Sequence, residues 1–228
     1  MDIIQYRQTL NKISFEMLST LVEEIGIDNF VVCGGWAVYA YYEEEPSVDI
    51  DIIVENENVR DITQQLFSYI KDNFENMYPD IKEAIKNIKL DIFVADSQFI
   101  KNFKNENDEP IDWEYIIQTS EIQEVTHKNI TITYRVVSVP ILFIMKFLSF
   151  YQRTRQEKTH KDIRDLRRIL YVATNDDLYK ISYMIPNTFS DKEIEERIEY
   201  LEYIANLNND ETSKYAKIIT ETLKKIII

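Results

Sequence analysis

Ser47-Val48-Asp49-Ile50-Asp51-Ile52-Ile53-Val54 sets acidic side chains between aliphatic ones and closes on a β-branched run. Alternation at a period of two predicts a strand over 47–54. Residues two apart on a strand share a face, so Asp49 and Asp51 are expected to point the same way. Val48, Ile50 and Ile52 would then point into a core. Two like charges side by side are costly unless a cation lies between them. Hard oxygen donors on a rigid strand suit Mg²⁺.

The neighbouring segments extend this reading. Upstream, Phe30-Val31-Val32-Cys33 is a short apolar strand, followed at once by Gly34-Gly35 and then a short helix over Trp36–Tyr42. Two glycines at a strand-to-helix turn let a phosphate approach the backbone where the helix favours negative charge. Thirteen residues separate Gly35 from Asp49, among them the acidic run Glu43-Glu44-Glu45-Pro46. Downstream, Ile88–Val94 reads as another strand and carries a third carboxylate, Asp91. Were that strand a neighbour, three carboxylates would converge, as a two-metal phosphoryl transfer requires. Helices are predicted over Tyr6–Ile25, where Gly26 stops the pattern, and over Val59–Phe74. Glu121–Thr126 and Ile130–Val136 flank His127-Lys128-Asn129 and predict a hairpin whose turn leaves His127 exposed, as His160 is expected to be on its helix. The stretch 99–113 is polar and predicts no regular element.

From Pro140 onward the pattern is helical: Ile141–Tyr151, Thr159–Ala173, a shorter helix near Asp177–Met184, Asp191–Leu207 and Ser213–Ile227. The expected organisation is an α/β domain over 1–139 and a helical domain over 140–228.

Composition narrows the function. The 228 residues are 45% apolar, enough for a real core, and carry a net charge of −14. Such a surface repels long nucleic acid unless a local basic patch exists. One is present in the sequence. Between Pro140 and Tyr171 stand Lys146, Arg153, Arg155, Lys158, Lys161, Arg164, Arg167 and Arg168 against Glu157, Asp162 and Asp165, a net +5. The strip suits a triphosphate or an RNA end, although Lys158–Asp162 and Lys161–Asp165 are also ordinary i,i+4 pairs. The single cysteine, Cys33, excludes a disulfide scaffold and a cysteine zinc site. With no signal-peptide core and no membrane-length apolar run, a cytoplasmic protein without a membrane partner is expected.

Val32-Cys33-Gly34-Gly35-Trp36-Ala37, Ser47-Val48-Asp49-Ile50-Asp51-Ile52 and Leu90-Asp91-Ile92-Phe93 together resemble the nucleotidyltransferase superfamily of the DNA polymerase β type. Its pattern is a Gly-Gly or Gly-Ser turn, a short helix, an Asp-x-Asp strand and a third Asp on a later strand. Lys146 and Lys161-Asp162-Ile163-Arg164-Asp165-Leu166 look most like the abortive-infection toxin type of these enzymes and related uncharacterised proteins. The resemblance implies an α+β nucleotidyltransferase fold, a mixed sheet with flanking helices, followed by a C-terminal helical bundle. It implies two Mg²⁺ ions on Asp49, Asp51 and Asp91, with Asp91 helping to deprotonate the acceptor. It implies a nucleotide gripped by Gly34, Gly35, Ser47 and Lys146. The reaction would move a nucleoside monophosphate from a nucleoside triphosphate such as ATP to a hydroxyl of an RNA end, a protein or a small molecule. A toxin role with an antitoxin-like partner is also implied. Many relatives carry an Arg shortly before Asp-x-Asp, where this chain has Glu43–Glu45. That departure leaves room for a cationic acceptor, or for a catalytically inactive module that binds nucleotide or a protein partner. A phosphohydrolase on the same carboxylates would lack a supporting His cluster.

Overall fold

A computed structural model describes residues 3–151, 156–207 and 211–226. The chain divides into two compact units: residues 1–100 with 112–137, and residues 101–111 with 138–228. The expected boundary after 139 falls two residues from this division. The difference lies in 101–111, a stretch with no clear sequence pattern, which joins the second unit. Its hairpin-like loop closes through the Lys104–Pro110 bridge, and Thr188 Oγ1 accepts from the Lys104 N–H at 3.0 Å.

The first unit contains helices α1 (Ile3–Ile25), α2 (Gly34–Tyr42), α3 (Glu57–Met77), α4 (Lys82–Ile85), α5 (Gln98–Lys101, whose last residue belongs to the second unit) and α6 (Trp113–Thr119). Its strands are β1 (Phe30–Cys33), β2 (Ile50–Val54), β3 (Leu90–Val94), β4 (Glu121–His127) and β5 (Ile130–Val136). They form one mixed sheet in the order β3-β2-β1-β5-β4. β1 runs antiparallel to β2 and parallel to β5; β2 and β3 are parallel; β4 and β5 form the expected hairpin. Local chemistry sets the element ends. Gly26 takes a φ of +86° and its N–H bonds the Val22 carbonyl, closing α1. The Asn56 side chain accepts from the Asn58 and Val59 amides and starts α3. The Lys71 ammonium donates to the Lys86 and Ile88 carbonyls at 2.6 and 2.9 Å, tying α3 to the chain just ahead of β3.

Trp36, fully buried on α2, donates its indole N–H to Ser14 Oγ on α1 at 3.0 Å and packs against Phe15. His127 lies beside them. The exposed turn histidine expected from sequence is instead buried, because its ring meets Phe15, Trp36 and Tyr39 edge-on at 5.5–5.6 Å. His160 is exposed, as expected. Tyr39 Oη donates to the Thr126 carbonyl, so it accepts from His127 Nδ1–H at 3.2 Å. That leaves the lone pair on Nε2, a buried atom with no hydrogen-bond partner among the described residues. Burial, then the nearby Lys128 charge, holds the imidazole pKa below its ordinary 6.5. The unfolded chain therefore binds the proton more readily. Stability from this site is full above pH 6.5 and falls as the pH drops toward the lowered folded value. Urea midpoints measured from pH 8 to 5 should show this decline, and His127→Phe should flatten it; an unchanged pH profile in the variant would overturn the assignment.

The second unit contains α7 (Val139–Tyr151), α8 (Gln156–Val172), α9 (Asn175–Thr188), α10 (Asp191–Leu207) and α11 (Glu211–Ile226). The Thr174–Asp177 capping box starts α9, which runs on through Pro186 in its last turn and so outlasts the expected short helix. Arg153 and Arg155 of the basic strip lie outside the described residues, as do the side chains of Glu157 and Lys158. Among the described residues no helix is long and apolar enough to cross a membrane.

Candidate active site

Register places the first pair of site residues. β2 and β3 are parallel partners from Ile50–Leu90 to Val54–Val94, and Asp51 stands opposite Asp91. Opposed residues on adjacent strands, about 4.8 Å apart, project from the same face. Ile50, Ile52 and Val54 are buried on the other face, as the alternation predicts, whereas Asp51 is half-buried and Asp91 exposed.

Asp49 behaves differently. The strand begins at Ile50, not at Ser47, so Asp49 sits in the bend before it and is exposed. Its Oδ1 accepts the Lys89 N–H at 3.2 Å, beside the Ile50 N–H to Lys89 carbonyl bond at 2.9 Å. Asp49 thus bridges the entries of the two strands. Val48, expected in the core, is half-buried. Sequence reasoning missed the Lys89 contact because it depends on the register of two strands forty residues apart. The nearest signal was Lys89 standing just ahead of Leu90-Asp91. Among the described residues no three His, Cys, Asp or Glu side chains stand close enough to enclose a metal ion. The expected three-carboxylate convergence is therefore a register pair plus a tethered neighbour.

Gly34 faces Asp51 of this pair. It is the first residue of α2, with a φ of +59°. A Cβ placed on it would lie 2.0 Å from Asp51 Oδ2 and 2.6 Å from Asp51 Cβ. Cys33, opposite Asp51 in the β1–β2 ladder, leads directly into the helix, so no separate turn intervenes. Only glycine meets both demands, the left-handed backbone and the close approach. Gly34→Ala is expected to cost at least ~1–2 kcal/mol from backbone strain alone and to displace the Asp51 carboxylate. A urea melt would read the first effect and nucleotide binding the second; parent-like values in both would contradict the geometry.

Gly35 is buried in the first turn of α2, where the N-cap residue Cys33 makes no side-chain cap and no acid stands in the first turn. Ser47 is buried ahead of β2. The acidic stretch between them is anchored at Glu45, which accepts from Arg7 of α1 at 3.1 Å. Glu43 closes α2 with its N–H on the Tyr39 carbonyl.

Lys146, expected on the triphosphate, lies in the second unit on α7 and is buried. Its ammonium donates to Asp165 Oδ2 at 2.8 Å and stands 3.9 Å from Asp162 Oδ1. Asp162 and Asp165, three apart on α8, share the buried face of that helix with Leu166 and Ile169. Arg168 approaches Asp165 at 3.5 Å and joins the same group of charges.

The profile of the family described as "Nucleotidyl transferase AbiEii toxin, Type IV TA system" matches residues 16–224. No curated protein matches the chain. Among solved structures, an antigenic nucleotidyltransferase-like protein from Paracoccidioides brasiliensis resembles it loosely, at 16% identity and a TM-score of 0.49 over 91% of this chain and 92% of that one. With its family profile spanning nearly the whole length, the chain belongs to the AbiEii family of nucleotidyltransferase toxins of type IV toxin–antitoxin systems.

Proposed function

We propose that this nucleotidyltransferase uses Mg²⁺ to transfer a nucleoside monophosphate from a nucleoside triphosphate to a hydroxyl on an RNA end, a protein or a small molecule, and that it acts as the toxin of a pair with an antitoxin partner. The observation that carries this reading is the register pairing of Asp51 with Asp91, with Asp51 lying against Gly34 at the start of α2.

The donors fit the metal in kind: carboxylate oxygens, on adjacent strands, on one face. Asp51 and Asp91 would hold Mg²⁺, with Asp49, bonded to the Lys89 N–H, as the neighbouring carboxylate. Bound there, Mg²⁺ would neutralise charge on the transferring phosphoryl group. The chain's own groups supply the rest. The amides of Gly34 and Gly35, at the helix start, would receive phosphate oxygens. The buried Ser47 hydroxyl would orient one of them. Asp91, the more exposed of the pair, would accept the proton of the attacking hydroxyl. Lys146 is engaged by Asp165 and is left out of the phosphate grip.

The test is label transfer. The protein is incubated with each α-³²P nucleoside triphosphate, Mg²⁺, total RNA and a cell lysate. Label on one RNA or protein band, absent without Mg²⁺, supports the reading and names the acceptor class. Nucleotide that binds but is never transferred would overturn it in favour of a binding module.

A further inference from the structure

The outer face of α3 is uncharged along its centre. Residues 62–70 carry no charged side chain, although 29% of the chain is charged and its net charge is −14. Ile62 and Tyr69, seven apart and so within about 20° of one another around a helix, are 64% and 66% exposed. Asn58, Gln65, Asn73 and Asn76 lie within about 40° of Tyr69 on either side and are exposed too. Along one edge, Met77, 63% exposed, and the half-buried Leu66 widen the apolar stripe. Along the other, Asp61 is held by Arg60 at 2.8 Å, with Asp72 further down the helix. The opposite side of α3 is committed to the core: Thr63, Phe67 and Ile70 are buried, and the helix packs against α1 and β3.

We infer that a second copy of the chain docks on this face, α3 against α3, antiparallel about a two-fold axis. Exposed apolar residues scattered singly are ordinary. Here Ile62 and Tyr69 share one side of a helix with uncharged neighbours, and a tyrosine supplies large contact area for little lost side-chain freedom. Charge selects the occupant. Two chains of −14 repel where their acidic surfaces meet, so the favourable approach is through a face with a neutral centre. A basic partner would be drawn instead to carboxylate-rich surfaces. The amide side chains of Asn58, Gln65, Asn73 and Asn76 both donate and accept, so the face can satisfy its own copy, as an isologous contact requires. A helix of 21 residues is about 31 Å long, which puts the contact at the small end of specific interfaces. The dimer is accordingly weak and forms with rising concentration.

Sedimentation equilibrium of the full chain from about 1 to 300 µM covers the range in which a micromolar dimer fills. The mass should climb from 27.2 kDa toward twice that value. Tyr69→Glu, which sets like charges against each other across the contact, should raise the dissociation constant at least about 10-fold. Its urea midpoint should stay at the parent value, because the side chain is exposed. Tyr179→Glu, at an exposed tyrosine of the second unit, adds the same charge elsewhere and should associate like the parent. A parent that keeps its monomer mass throughout would overturn the proposal and leave the face to a different protein. A dimer that Tyr69→Glu leaves intact, or that Tyr179→Glu weakens equally, would overturn it as well.

Discussion

Asp51→Asn should lower nucleotidyl transfer about a thousandfold, equivalent to ~4 kcal/mol of transition-state stabilisation, with little change in stability. The substitution keeps the shape that packs against Gly34 and removes only the charge. Asp51 is the group most tightly fixed at the site: opposite Cys33 on one side, opposite Asp91 on the other, with Gly34 against its carboxylate. A metal ligand in such a position cannot be replaced by a neighbour that swings in. Asp49→Asn is the informative companion. The amide oxygen of Asn would still accept the Lys89 N–H, so the link between strand entries survives while the charge is lost. A loss comparable to Asp51→Asn is expected if Asp49 is a ligand. Parent-like activity would reduce Asp49 to a structural peg and leave metal binding to the pair. Asp51→Asn within tenfold of the parent, at equal stability, would sink the metal assignment altogether.

Most of this site was legible because it is written in short-range patterns. Alternation over 50–54, the glycines after Cys33 and the aliphatic run around Asp91 each report on their own few residues, and the structure joins them through one sheet. The hairpin was legible for the same reason. What escaped was long-range. The bend at Asp49 depends on where β3 begins pairing, which no local signal fixes. His127 reads as a turn residue, yet it is the last residue of β4, and its environment comes from Phe15 of α1 and Trp36 of α2, far earlier in the chain. The 101–111 loop has no periodicity because its partner is Thr188, and its place is set by that contact. The partners of Lys146 escaped for a related reason. In an apolar helix a lone lysine suggests a functional cation, whereas its acids lie nineteen and sixteen residues onward, on the next helix.

Lys146→Met should therefore act first on stability, by about 3–5 kcal/mol. Met fills the space of the lysine stem, so the packing loss is small. The cost comes from Asp165 and Asp162, which are almost wholly buried and would lose the ammonium they face, while Arg168 stays beside Asp165. All four groups lie within the second unit, so the effect does not depend on the Asp51 site. Guanidinium melts of the parent, Lys146→Met and the Lys146→Met/Asp165→Asn pair would separate the terms. The double variant should recover at least half of the loss, because it removes one uncompensated charge while keeping the shape of the side chain. If Lys146→Met melts within ~1 kcal/mol of the parent yet loses transfer activity, the ion cluster is not what Lys146 is for, and the triphosphate role implied by the resemblance returns. If it melts early, a loss of activity in a Lys146 variant reports on folding before it reports on catalysis, and the temperature at which activity is assayed decides what such a variant can say.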